Sequence, residues 1–295
     1  MTLARKGPTD TPPVCSVGDL SITVLDGGEL WLDGGAMFGI IPKPLWSRGT
    51  PADEQNRIDL ACNCLLVEWD YETDRRVIIE TGCGDKYDDK ERGIFEIQPQ
   101  RWLLPALHNA NIDPESITDV VVSHLHFDHG GGLTRERDGR IVPTFPRAKV
   151  HVQRREYDDA KAGFGTMKTT YREENIAPLD AADAWQLHHG DVECIPGITL
   201  LPTPGHTRGH QAVIVRGRDR TAIFTGDTMP TAAHVGAPYN MAYDLYPMEN
   251  RNSKEKYLKQ AAEEDWLICI DHEVHTPVVR ARAEKKWFAL SPAES

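Results

Sequence analysis

The chain has 295 residues, 40% hydrophobic and 26% charged, enough for one large domain or two small ones with a full core. Its net charge of -12 comes from 45 acidic against 33 basic side chains, which disfavours nucleic acid and anionic membrane surfaces as partners. No apolar run approaches the ~20 residues of a membrane span. The opening MTLARKGPTDTPPVCS has no apolar secretory core. The six cysteines form no C-x-x-C pair and read as buried, reduced thiols, so a cytoplasmic protein is expected.

In chain order, residues 1–16 read as a flexible arm, rich in Pro and Thr, and residues 17–295 as a single domain. Short runs rich in β-branched residues predict strands at 20–26, 62–69, 76–81, 119–124 and 148–153. More follow at 198–203, 211–216, 221–226 and 266–270. Helical patterns cover 97–112 and 252–266. In the second, Asn252 and Glu255 have capping-box spacing, and Tyr257, Leu258, Ala261 and Ala262 share a face. Residues 154–182 are polar with isolated aromatics and break the strand rhythm, as an inserted segment covering a site would. Runs of strands with interspersed helices predict mixed α/β sheets with helices outside.

The densest chemistry is SHLHFDHGGG, residues 123–132, directly after the apolar strand DVVVSH. His124 and His126 are two apart, so an extended chain points them the same way. Asp128 and His129 fall where the chain must turn, and the three glycines let backbone turn sharply and pass close to an ion. Imidazole and carboxylate are ligands for zinc and its neighbours. Three more strand exits carry such groups: His206 in LPTPGHTRGH, Asp227 in FTGDTMP and His272 in LICIDHEVH. Each alone is an ordinary polar strand end; together they suggest a metal site.

On these residues the chain resembles the metallo-β-lactamase fold superfamily, from roughly residue 60 to 275. Its HxHxDH motif stands as His124, His126, Asp128 and His129, and His206, Asp227 and His272 fill its later positions. The resemblance implies a four-layer αβ/βα sandwich and two divalent metal ions, zinc first with iron or manganese as options. It places His124, His126 and His206 on one ion, Asp128, His129 and His272 on the other, and Asp227 between them, with His275 as the fallback for His272. A metal-bridging hydroxide would attack the substrate, and Asp128, as the catalytic carboxylate, would accept or relay its proton. Glu80 stands where relatives carry an aspartate before Thr-Gly, and His210 is a candidate to orient the His206 loop; both read equally well as packed polar residues. His188 and His189 read as a solvated turn.

The pattern resembles lactonases that open acyl-homoserine lactones and related ester hydrolases. One departure is Pro230, where those lactonases carry a tyrosine three residues after the bridging aspartate; Tyr239 and Tyr243 are the replacements on offer. Two apolar stretches, 33–46 and 228–247, read as pocket walls. From them Phe38, Trp46, Met229, His234, Tyr239 and Tyr243 are expected to bind substrate. The expected function is a dinuclear metal-dependent hydrolase of a small lactone or ester. The alternatives are a thioesterase of the glyoxalase II type, a phosphotriesterase, or a non-catalytic binding protein on the same fold. The expected partner is a small molecule, and the arm or the 154–182 segment is a candidate homodimer surface.

Overall fold

Valines and isoleucines alternate their faces along each strand, and in this chain both faces are apolar. In the computed structural model, which describes residues 13–165, 168–285 and 287–293, this builds two sheets packed face to face. The first contains β1 (Val14–Val17), β2 (Leu20–Asp33), β3 (Arg57–Trp69), β4 (Glu72–Ile79) and β5 (Asp119–Val121). A separate hairpin of β6 (Thr134–Arg137) and β7 (Arg140–Pro143) follows, and then β8 (Lys149–Gln153) and β9 (Trp185–His188) complete the first sheet in the order β1-β2-β3-β4-β5-β8-β9. The second sheet runs in sequence order: β10 (Val192–Ile195), β11 (Ile198–Pro202), β12 (Gln211–Arg216), β13 (Thr221–Phe224), β14 (Leu267–Cys269), β15 (Val278–Glu284) and β16 (Trp287–Pro292).

The helices are α1 (Gly34–Phe38), α2 (Lys43–Trp46), α3 (Asp89–Phe95), α4 (Leu103–Asn109), α5 (Arg154–Ala162), α6 (Ala177–Ala181) and α7 (Pro247–Glu263). Val121 on β5 packs inward with Val213 and Val215 of β12, while its neighbours Val120 and Val122 face outward onto Leu103 and Leu107 of α4. On the second sheet Ala212 and Ile214 turn outward onto Tyr257, Leu258 and Ala261 of α7. Helix, sheet, sheet and helix therefore stack in four layers, the αβ/βα sandwich. Burial on both faces explains why the strands read as unbroken apolar runs.

Several boundaries differ from the sequence reading. Of the expected arm, residues 1–12 lie outside the described residues, and from Val14 the chain pairs with β2. The helix expected over 97–112 is confined to Leu103–Asn109, and α7 begins at Pro247. Pro is well placed in a first turn, where its missing N–H costs nothing. Asn252 therefore lies inside α7 and caps nothing. The capping box forms instead on α3, where Asp88 and Glu91 bond each other's backbone N–H. The segment 154–182 folds as α5, two short 3-10 turns and α6. No helix among the described residues is long and apolar enough to cross a membrane.

Candidate metal centre

Strands β4, β5, β11, β13 and β14 all end at one edge of the sandwich, and every expected ligand follows such an end. After β5 come His124 to His129. Two of the three glycines next to them act differently from expectation: a Cβ on Gly131 would lie 2.0 Å from Cys83 O, and one on Gly132 2.3 Å from Thr81 O. They let the loop press on the backbone after β4, where Lys86 donates to Gly131 O and Thr134 O and fixes it there.

The structure gathers all seven side chains. Asp227 lies between them: its Oδ2 is 3.2 Å from His206 Nε2, 3.5 Å from His129 Nε2 and 4.0 Å from His124 Nε2, and its Oδ1 is 3.2 Å from His272 Nε2. His126 Nδ1 lies 3.1 Å from His206 Nε2. Asp128 reaches 3.8 Å from both His129 Nε2 and His272 Nε2. Donor atoms bound at about 2.0–2.1 Å to one tetrahedral ion stand roughly 3.3 Å apart. The sets His124–His126–His206, His124–His129–Asp227 and Asp128–His129–His272 each converge closely enough to hold an ion.

The outward nitrogens of three of these rings are hydrogen-bonded, which fixes the inward ones, and that of a fourth faces two carboxylates. His272 Nδ1 donates to Ala61 O at 2.7 Å, so its Nε2 presents a lone pair. His206 Nδ1 donates to Asp244 Oδ1 at 3.0 Å, and His124 Nδ1 lies 2.9 Å from Ser123 Oγ. His129 Nδ1 faces Asp271 Oδ2 at 3.0 Å and Glu80 Oε2 at 3.4 Å. Glu80 takes a left-handed φ of 67° and accepts from Ser123 N–H, tying β4 to the ligand loop. His210 accepts the backbone N–H of Asp227 at 3.0 Å, and its Nδ1 meets Thr203 Oγ1 at 2.9 Å across the base of the His206 loop, so it ties that loop to the bridging position. Asp244 and Asp271 were missed in the sequence, although a carboxylate directly before His272 is a legible hint. His275 is exposed and turned away.

Inward, His124 Nε2, His129 Nε2, His272 Nε2 and Asp227 Oδ1 are buried with no hydrogen-bond partner. Buried polar atoms are almost always partnered, so this cluster fits a divalent cation that supplies the missing partner. The electrostatics agree. Burial, and then the neighbouring imidazoles, hold His124 and His126 well below the usual histidine range. Burial also opposes protonation of His129 and His272, but the adjoining carboxylates outweigh it and raise His272 to about 10. Burial acts to raise Asp227, yet His129, His206 and His272 bring it well below the usual carboxylate range. Positive charge belongs at this site.

A cavity of about 630 Å³ opens above it. His126, Asp128, His206, Asp227 and His272 form its floor, and Leu32, Met37, Ile94, Phe95, Phe127 and Met241 form much of its apolar wall. Of the expected substrate contacts, Tyr243 lines the cavity, and Phe38, Trp46, Met229, His234 and Tyr239 do not. Phe38 stacks between Trp46 and His234 at 5.0 and 4.7 Å, with Tyr239 edge-on, as a packed layer that includes Met37. Met229 packs under α7. The remaining wall comes from α3, which was not anticipated, and from Phe164, Thr169 and Arg172 of the 154–182 segment, which was expected to cover a site.

A family model described as the metallo-beta-lactamase superfamily matches residues 57–272. The chain belongs to this superfamily. Within it, the chain is similar to an N-acyl homoserine lactonase of a Bacillus species, 30% identical over 170 residues, or 54% of this chain and 59% of that protein. It is 29% identical to a probable metallo-hydrolase of Mycobacterium tuberculosis over 189 residues, 58% of this chain and 57% of the other. The chain spans about three fifths of the length of these curated relatives. A probable metal-dependent hydrolase from Staphylococcus aureus superposes with a TM-score of 0.86 at 30% identity, covering 95% of this chain and 99% of that one. A dizinc quorum-quenching lactonase in complex with a product shares the fold, with a TM-score of 0.79 at 18% identity over 97% of this chain and 98% of the other.

Proposed function

We propose that this superfamily member is a two-metal hydrolase that opens a small lactone or ester bearing an apolar group. The observation that carries the proposal is the set of buried, unpartnered donor atoms at the floor of a largely apolar cavity. His124, His126 and His206 would hold one ion, Asp128, His129 and His272 the other, and the two oxygens of Asp227 face both sets. Two divalent ions bound there, with zinc the first choice for this donor set, lower the pKa of a bound water towards ~7 and polarise a carbonyl oxygen.

The protein's own groups supply the rest. Asp128, on the cavity floor, is a carboxylate able to take a proton from the attacking water and pass it to the leaving oxygen. Tyr243 is the tyrosine in place to replace the one absent at Pro230. Burial first, and then Asp33 and Asp128, push its phenol up to about 12, so at neutral pH it stays an O–H donor for a carbonyl or leaving oxygen. Pro230 serves the site through its carbonyl, which accepts from His272 N–H at 2.9 Å. The apolar wall suits an acyl group and leaves few polar contacts to orient it.

The deciding experiment loads purified protein with zinc, manganese, cobalt or iron and measures proton release from acyl lactones, simple esters, thioesters and phosphotriesters. Faster turnover of acyl lactones or esters supports the proposal. Preference for thioesters or phosphotriesters replaces it with those activities, and metal-loaded protein inert on the whole panel leaves a binding protein.

A further inference from the structure

His126 turns its Nδ1 towards His206, and the groups around it converge on one carboxylate, Glu156. Its neighbour Leu125 donates its backbone N–H to Glu156 Oε1 at 3.0 Å. Its ring packs against Tyr171, with centroids 5.0 Å apart, and Tyr171 Oη donates to the same Glu156 Oε1 at 3.1 Å. Glu156 Oε2 accepts from Thr207 Oγ1 at 2.6 Å, directly after His206. Glu156 is 0% exposed, in the first turn of α5, and its three donors come from three separate segments. Gly209 fixes the helix there, because a Cβ at that position would lie 2.3 Å from Glu156 N.

We infer that Glu156 is a positioning residue that sets the His124–His126–His206 half of the site, with Tyr171 acting on His126 through it. The inference rests on the two-metal reading above. One carboxylate fixes both loops whose histidine nitrogens approach to 3.1 Å. The other half is held by different groups: Ala61 O on His272, and Asp271 and Glu80 beside His129. Loss of Glu156 should therefore weaken one ion and spare the other. It also gives the 154–182 segment a second role, since the same stretch that walls the cavity holds half of its floor.

The test compares wild type with Glu156→Ala, Glu156→Gln, Thr207→Val and Asp158→Asn, each stripped of metal and titrated with zinc and with cobalt. Asp158 is the control: it lies on the same helix and pairs with Arg154 of that helix at 3.6 Å, away from the ligand loops. Wild type is expected to bind two equivalents. Glu156→Ala should lose ~10–100-fold affinity for one equivalent and keep the other, the scale seen when groups behind metal ligands are removed. Its remaining cobalt spectrum should match that of His206→Ala. Glu156→Gln keeps an acceptor for Leu125 and Tyr171, and its amide can donate to Thr207 Oγ1 in place of accepting from it, so it should restore most of the binding. Thr207→Val, which keeps the core filled should Glu156→Ala fail to fold, should shift the same equivalent less, and Asp158→Asn should bind as wild type. Equal loss of both ions, or no loss in either Glu156→Ala or Thr207→Val, overturns the inference while the two-metal reading stands. Wild type that binds no metal overturns both.

Discussion

Around Lys254 every buried polar atom of that side chain has a partner, whereas around Asp227, one loop away, several have none. Lys254 is 0% exposed, yet its ammonium donates to His234 O at 2.8 Å, Gly236 O at 3.2 Å and Tyr239 O at 2.7 Å. His234, equally buried, donates from Nε2 to Met37 O at 2.8 Å and meets Thr231 Oγ1 at 2.8 Å with Nδ1. The Asp227 cluster is as dry, but its donor atoms converge on each other. Burial and charge alone therefore do not mark a functional site. What separates the two regions is whether the protein itself completes the hydrogen bonds, because an unpaired buried polar group costs about 1–3 kcal/mol and more when charged.

Asp227→Asn tests the incomplete side and should have the largest effect. The variant keeps the shape but removes a charge that faces four histidines. Metal content should fall, and turnover should drop roughly a thousandfold, the several kcal/mol that metal polarisation supplies. Elemental analysis beside a rate measurement reads both, and full metal content in the variant would remove Asp227 from the bridging role. Lys254→Met tests the complete side. Three carbonyls lose their donor at once, so denaturant unfolding should show a loss of about 3–5 kcal/mol. Metal content should not change; its loss would mean the two regions are one cooperative unit.

The same contrast explains what could be read from the sequence. His124, His126, Asp128, His129, His206, Asp227 and His272 stand in short motifs at strand exits, and the strands announce themselves by apolar runs. A ligand at a strand end is placed by its own local context. The α/β layering was legible for the same reason. Asp244, Asp271 and Glu156 were not, since each acts through a partner far away in sequence that no local period encodes. The cavity wall shows the limit most clearly. Phe38, Trp46, Met229, His234 and Tyr239 are apolar or aromatic whether they line a cavity or pack behind it. Which layer they occupy is set by how the 33–46 and 228–247 stretches pack on each other and on Phe95 of α3, far apart in the chain. His234 was read as a pocket group because it is polar, but both of its nitrogens are already used.

His234 also yields the smallest expected effect, visible only in a pH series. Burial first, and then nearby Lys254, lowers its pKa from 6.5 to about 3. Above about pH 6.5 the ring is neutral in both folded and unfolded chains, so it contributes no pH dependence. Between about 6.5 and 3 the unfolded chain takes up a proton that the folded one refuses. The unfolded state then binds more protons, so folding stability falls as pH falls, by up to about 1.4 kcal/mol per pH unit from this ring. His234→Asn should lose some stability at pH 7, where the Phe38 stack goes, yet show a shallower acid slope than wild type. Metal ligands and other histidines add their own slopes, but these are common to both proteins and cancel in the difference. Parallel acid slopes would mean that His234 is protonated in the folded state, and its place among the completed polar groups would then need another proton acceptor.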